Sequence, residues 1–261
     1  QDPYGVPKMG TRQEVEAITP QELLRHYEAL RRESPVEVYY VGSAEPGRVA
    51  DLVRKMFARE IRQPRELPRQ TDLTPGVRQD RREAMEVAQG KLCMGFLTPI
   101  TNRDHRFAAM QVTNGILGGD VTSKLFQNVR EKQSLCYSIG SGYYAAKGIV
   151  LVSAGIDFDK EDHVRREVLS QLEGCQLGQI TDEELAASKQ SLLTALRSVQ
   201  DSPSAMENYY SAITMAQTGR SWETHMELLA KVTKEDVVAC AKTLELHSTY
   251  FLEGGDICAA L

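Results

Sequence analysis

The sequence predicts an α+β fold, and three observations carry that prediction. Apolar residues recur at helical spacing behind threonine caps. Between those stretches lie short runs rich in β-branched and aromatic residues, bounded by glycine and proline. A capped helix leading into a strand closed by glycine occurs twice: Ile18-Thr19-Pro20-Gln21-Glu22-Leu23-Leu24 resembles Val232-Thr233-Lys234-Glu235-Asp236-Val237-Val238. The first copy closes at Val41-Gly42, the second at Glu253-Gly254. A long stretch of sheet and helix precedes the second copy, but only residues 1–17 precede the first. The repeat therefore predicts two related domains. Residues 1–72 would be the C-terminal part of the first, residues 73–83 a linker, and residues 84–261 a complete second domain.

Each element has a local reason. Thr19-Pro20-Gln21-Glu22 is a capping box with proline at the first helical position, and Leu23, Leu24, Tyr27 and Leu30 fall on one face of the helix it opens. Val36 to Val41 reads as a strand. Pro46 starts another helix, with Val49, Leu52, Val53 and Phe57 at helical spacing. Residues 61–83 turn polar and hold Pro64, Pro68 and Pro75, which is linker composition. A long strand is expected over 84–99, helices over 104–118 and 122–131, and strands over 135–144 and 148–157. Helices are expected over 160–176, 181–199 (behind the capping box Thr181-Asp182-Glu183-Glu184), 203–217, 221–230 and 233–244. Thr249 to Leu252 ends the series as a strand.

The bulk numbers bound the function. The chain has 261 residues, 41% of them hydrophobic and 26% charged, as in an ordinary globular protein. A net charge of -5 gives a nucleic-acid partner no electrostatic support. No run of eighteen apolar residues predicts a membrane span. Gln1-Asp2-Pro3-Tyr4 reads neither as a signal peptide nor as a translation start, so a removed segment or a longer parent chain is expected. Cys93, Cys136, Cys175, Cys240 and Cys258 are odd in number, widely spaced and free of C-x-x-C. They predict buried thiols in a reducing cytoplasm rather than disulfides or a zinc site.

Residues 115–144 carry the most chemistry, reading as glycine turn, short helix, then strand. They place Arg130 and Tyr137 seven residues apart across the helix-to-strand junction. A cation at a helix end and a phenol at the start of a strand can converge on one carbonyl group. Read alone, Arg130 is a structural cation paired with a carboxylate at a helix C-terminus, and Tyr137 a core aromatic with a satisfied hydroxyl. Gly118-Gly119 is followed by no Gly-Lys-Ser/Thr, so a helix cap and tight turn is expected there, not a phosphate loop. Gly140 and Gly142 either let another backbone approach their strand or mark a bulge. Tyr143 and Tyr144 either line a pocket or pack within the sheet.

The segment from Gly118-Gly119 through Ser-Lys-Leu-Phe-Gln-Asn-Val-Arg-Glu-Lys-x-Ser-Leu-Cys-Tyr resembles the non-metal domain signature of the pitrilysin/insulysin/mitochondrial processing peptidase family of zinc metallopeptidases. The opening Pro3-Tyr4-Gly5 and Gly10-Thr11 resembles the family's segment just after its last zinc ligand. Val-Arg-Glu-Lys-x-Ser-Leu, with Gly155-Ile156, is most similar to a bacterial processing-protease-like subgroup, several members of which lack the metal motif and pair with a catalytic partner. The resemblance implies two-layer α/β sandwich domains, each an antiparallel-rich sheet with helices on one face. Two such domains form half a clamshell around a chamber. It implies that Arg130 and Tyr137 serve catalysis, binding a substrate carbonyl, and that Gly140, Gly142 and Tyr143 lie on a strand near substrate. It also implies peptide binding by strand addition in the metal-bearing domain, to which Val36–Val41 would belong.

The metal motif itself is missing. The family binds zinc through H-x-x-E-H on a helix plus a distant Glu. The five histidines, His26, His105, His163, His225 and His247, are too far apart in sequence to form it. His163 and Glu167 stand at i, i+4, a spacing that most often marks a surface contact. No cofactor is therefore expected in this chain, and zinc only upstream or on a partner. The sequence-level expectation is a peptide-binding, non-catalytic portion of a zinc-peptidase system. Its partners would be a peptide or protein substrate and a second copy or a metal-bearing homologous subunit, with no nucleic acid or membrane. The competing expectation is an assembly protein that keeps the fold as a scaffold.

Overall fold

The computed structural model describes residues 5–58, 61–66 and 76–255. Pro3 and Tyr4, linker positions 73–75 with Pro68 and Pro75, and Cys258 lie outside the described residues. The chain divides into two compact units, Gln1–Arg69 and Gln70–Leu261.

The first unit is helical. Helix α1 (Arg12–Ala17) opens on a capping box, Thr11 with Glu14. Apolar periodicity misses this short helix, although Thr11-x-x-Glu14 carries the same signal as the boxes read elsewhere. Helix α2 (Pro20–Glu33) opens on the expected box of Thr19 and Glu22. Helix α3 (Pro46–Phe57) is capped by Glu45, whose carboxylate accepts from Gly47 and Arg48 N–H at 2.9 and 2.7 Å. Val36–Val41, expected as a strand, is unpaired. β-branched composition favours extended backbone, but a strand also needs a hydrogen-bonding neighbour, and the described residues of this unit offer none. Leu23, Leu24, Tyr27 and Leu30, the apolar face of α2, are all more than half exposed.

The second unit is a five-stranded mixed sheet covered by helices. Its strands are β1 (Gln79–Met85), β2 (Gly90–Leu97), β3 (Ser138–Tyr144), β4 (Ile149–Ile156) and β5 (Glu245–Gly254), in the order β1-β5-β2-β4-β3. β1 runs parallel to β5 and the remaining pairs are antiparallel. The long strand expected at 84–99 is thus two strands, the first lying mostly inside the stretch that reads as linker. β1 is Gln-Asp-Arg-Arg-Glu-Ala-Met, exposed throughout. At a sheet edge, backbone pairing holds a strand without apolar side chains, and charge there resists unwanted pairing.

Alternate residues define the buried face: Leu92, Met94 and Phe96 of β2, Val150, Val152 and Ala154 of β4, and Phe251 of β5 belong to one core cluster. Helices α4 (Phe107–Asn114), α5 (Glu161–Gln176), α6 (Asp182–Ser198), α8 (Trp222–Lys231) and α9 (Lys234–Ala241) contribute Met110, Val112, Val168, Leu196, Leu229 and Val237 to that cluster. Helix α7 (Pro203–Ala216) adds Tyr209 at its border. β3 and β4 meet in a tight turn at Gly148, where φ is +63° and a Cβ would lie 2.2 Å from the Thr98 carbonyl oxygen. Only glycine meets both conditions.

Two expected α-helices wind differently. α4 passes into a wider π-type turn, Gly115–Gly119, and the helix carrying Arg130, Leu125–Lys132, is π-wound throughout. At Gly118 a Cβ would come within 2.9 Å of Ser141 N, so glycine lets this turn approach β3.

Candidate functional site

The π-wound helix is anchored before it presents anything. Leu125 and Val129 are fully buried. Lys124, itself nearly buried, donates to both carboxylate oxygens of Glu184 at 2.8 and 3.0 Å. Asn128 donates to Gln171 at 2.6 Å and Gln133 to Glu167 at 2.8 Å, fixing the helix to α5. Glu167, the partner of His163 in the i, i+4 spacing, is thus engaged by an amide. Most of the segment that stands out in sequence is therefore structural.

The helix ends at Ser134, which adopts a left-handed conformation with φ 50°. Ser134 N–H donates to the Arg130 carbonyl at 3.0 Å and Leu135 N–H to that of Val129 at 3.1 Å, a Schellman-like closure that reverses the chain. Leu135 is buried. Two residues on, Tyr137 N–H joins the sheet by donating to the Gly155 carbonyl at 2.8 Å. The reversal brings Arg130 and Tyr137 into the wall of one cavity of about 400 Å3, together with Cys136, Asp157 and Lys160.

Inside this cavity, Arg130 Nε donates to the backbone carbonyl of Tyr137 at 2.9 Å. Its Nη1 pairs with Glu131 at 3.0 Å, and the guanidinium lies 4.6 Å from the centre of the Phe126 ring. Tyr137 is 61% exposed, so it is not a core aromatic. Its hydroxyl donates to Asp157 Oδ1 at 2.6 Å, and Asp157 Oδ2 pairs with Lys160 Nζ at 2.8 Å. The hydrogen bond to Asp157 raises the phenol pKa. The bonds from Lys160 and then Tyr137 lower that of Asp157, so the carboxylate is ionised at neutral pH. The bond to Asp157 raises that of Lys160. Burial pushes the Cys136 thiol up to about 11 despite the nearby cations, which leaves it a poor nucleophile.

Gly140 and Gly142 line a different hollow, about 470 Å3, with Gly118, Phe126 and Ser153. The outer edge of β3 is not open at its centre: Asn114 Nδ2 donates to the Ser141 carbonyl at 3.3 Å. Tyr143 reaches neither space. It packs against the core beside Phe107, donates to the Ile100 carbonyl at 2.7 Å, and has its pKa raised by burial. Asp157 and Lys160 escape sequence reasoning because only the pairing of Tyr137 with Gly155 brings them to the phenol. Among the described residues, no three His, Cys, Asp or Glu side chains gather in a way that could hold a metal ion. The described residues do not fit the zinc of the resembled family.

Comparison with known proteins decides the family. Residues 17–192, more than half of the chain, match the family described as peptidase M16 inactive domain. The chain belongs to this family. Among relatives of the M16 domain is a protein of Bacillus subtilis named probable inactive metalloprotease YmfF, 28% identical over 267 residues, covering 97% of this chain and 59% of the relative. Another is an uncharacterized zinc protease of Mycobacterium tuberculosis, 29% identical over 250 residues, covering 93% of this chain and 56% of the relative. A conserved protein from Enterococcus faecalis superposes with a TM-score of 0.85 at 30% identity, over 96% of this chain and 59% of that one. A peptidase M16 inactive domain from Pseudomonas fluorescens superposes with a TM-score of 0.80 at 20% identity, over 98% of this chain and 62% of that one, and shows the same fold. The chain spans less than two thirds of each of these proteins. The α+β architecture read from sequence, helices over one face of an antiparallel-rich sheet, is that of M16-like peptidase domains. The chain is an inactive M16 domain of a zinc-protease-like protein.

Proposed function

We propose that this chain is the peptide-binding, non-catalytic portion of a zinc-dependent metalloendopeptidase system. Arg130 holds a substrate carbonyl, and Tyr137 donates to the same oxygen as charge develops on it. The observation that carries this reading is the shared cavity. Two residues with complementary donors sit in one wall, Arg130 on the helix and Tyr137 just past its end, while Lys124, Asn128 and Gln133 anchor that helix. Gly140 and Gly142, along the neighbouring hollow, lie where an extended peptide leaving the cavity would run. Zinc is held upstream in the same polypeptide or on a homologous partner subunit, in a homodimer or a heterodimer. Residues 1–72 complete a metal-type domain, and the exposed apolar face of α2 supports their packing against further chain. The four described cysteines are unpaired, in keeping with a reducing cytoplasm. No helix among the described residues is long and apolar enough to cross a membrane.

One observation favours a scaffold instead. Both polar groups of the pair already have partners within the chain, Arg130 on Glu131 and Tyr137 on Asp157. Tyr137→Phe in the complete assembly separates the two readings. The peptidase role expects peptide turnover to fall by a factor on the order of 100, about 3 kcal/mol, with thermal unfolding unchanged. Unaltered turnover ends the role assigned to Tyr137.

A further inference from the structure

The cavity has an unequal supply of donors. A guanidinium only donates, while a phenol has a single proton. The phenol donates that proton to Asp157, at the 2.6 Å typical of a charge-assisted O–H···O⁻ bond. Both ends of the bond are fixed to the sheet. Tyr137 is clipped to Gly155 through its own N–H, and Asp157 comes two residues after Gly155, directly past the end of β4. Lys160, donating also toward the Ser134 carbonyl, holds the second carboxylate oxygen. The other charged groups in the cavity wall are Arg130 and Glu131, which pair with each other.

We infer that Asp157 is a positioning residue that competes with a bound peptide carbonyl for the one proton of Tyr137. This deepens the peptide-binding reading and rests on it. A neutral amide oxygen is a weaker acceptor than a carboxylate, so an uncharged carbonyl is held by Arg130 while the phenol hydroxyl goes on donating to Asp157. An oxygen that gains negative charge is an acceptor of the same class as Asp157 and draws the proton across. Asp157 thereby withholds the Tyr137 donor from the resting substrate and releases it to developing charge, which is the differential interaction that favours catalysis over mere binding.

Asp157→Asn tests this, because its amide can donate to the phenol oxygen and leave the proton free. The probe is an uncharged, unstructured peptide of glycine, alanine and serine with blocked ends and a dye, followed by fluorescence anisotropy with the full chain. Asp157→Asn is expected to tighten binding roughly tenfold, the scale of one net hydrogen bond, and the gain is expected to vanish when Tyr137→Phe is added. Lys160→Met leaves Asp157 a stronger acceptor and is expected to shift affinity the opposite way. In tyrosine labelled with 13C at the ζ carbon, the Tyr137 titration is expected to move to lower pH in Asp157→Asn. Unchanged or weaker binding in Asp157→Asn, or a gain that survives Tyr137→Phe, overturns the competition while wild-type binding sensitive to Arg130→Ala keeps the peptide site standing. If neither wild type nor any variant binds the probe, the peptide-binding reading fails and the competition fails with it, whatever the phenol titration does.

Discussion

Ser134 sits in the left-handed region at the point where the arginine helix turns back toward the sheet. A residue with a Cβ is strained there by roughly 1 kcal/mol. Ser134→Gly is therefore expected to raise unfolding stability by about 0.5–1 kcal/mol in urea titration, since glycine takes this conformation freely. A loss of stability would mean that the serine side chain gives more than its backbone costs. The same turn explains what is legible at this scale. Arg130 and Tyr137 are close in sequence, so helix end plus strand start is enough to bring them together. Asp157 lies twenty positions further on, and its approach depends on the register of two strands, which no local pattern encodes. Tyr143 illustrates the reverse. Strand alternation assigns it to one of two faces, and the choice of the core face is made by Phe107 and the Ile100 carbonyl, both distant in sequence.

Helices with threonine capping boxes are readable almost to the residue, because the box satisfies otherwise orphaned N–H groups within four positions. Thr19 and Thr181 form the expected reciprocal bonds, and Thr233 forms the same bonds with Asp236. Strands are less readable because their stability resides in a neighbour. β1 looks like linker until β5 pairs with it, and Val36–Val41 looks like a strand but finds no neighbour among the described residues. Glu184 shows how one element can hold another. Its carboxylate accepts from Thr181 N–H at 2.9 Å and also neutralises Lys124. Glu184→Gln keeps the volume and an acceptor for the cap but leaves a nearly buried ammonium without its counter-charge. A loss of roughly 2 kcal/mol is expected in chemical denaturation, less than for a fully buried pair. Disorder of the arginine helix should accompany it, seen as faster hydrogen exchange over 125–132.

Across the whole molecule, acid sensitivity has an identifiable source. His225 is buried between Tyr209 and Gln111, bonded to them at 3.2 and 2.7 Å, and burial lowers its pKa from 6.5 to about 4. The unfolded chain takes up this proton first. Stability from the neutral imidazole is thus complete above pH 6.5 and is lost as pH falls toward 4. Replacing His225 with Gln should flatten the dependence of the urea midpoint on pH within that window, leaving the slope due to carboxylates. An identical slope in the variant would show that the imidazole charges freely in the folded state.

β5 lies between β1 and β2, so the strand made last occupies an interior position in the sheet. In a chain emerging from the ribosome, β2, β4 and β3 can assemble as they appear. β1, although translated first, waits for residues 245–254 before it has a strand to bind. The unit cannot close progressively from its N-terminal end. A nascent chain stalled or cut short before Glu245 would carry β1 unpaired and one side of β2 open, a form suited to recognition by chaperones or to degradation.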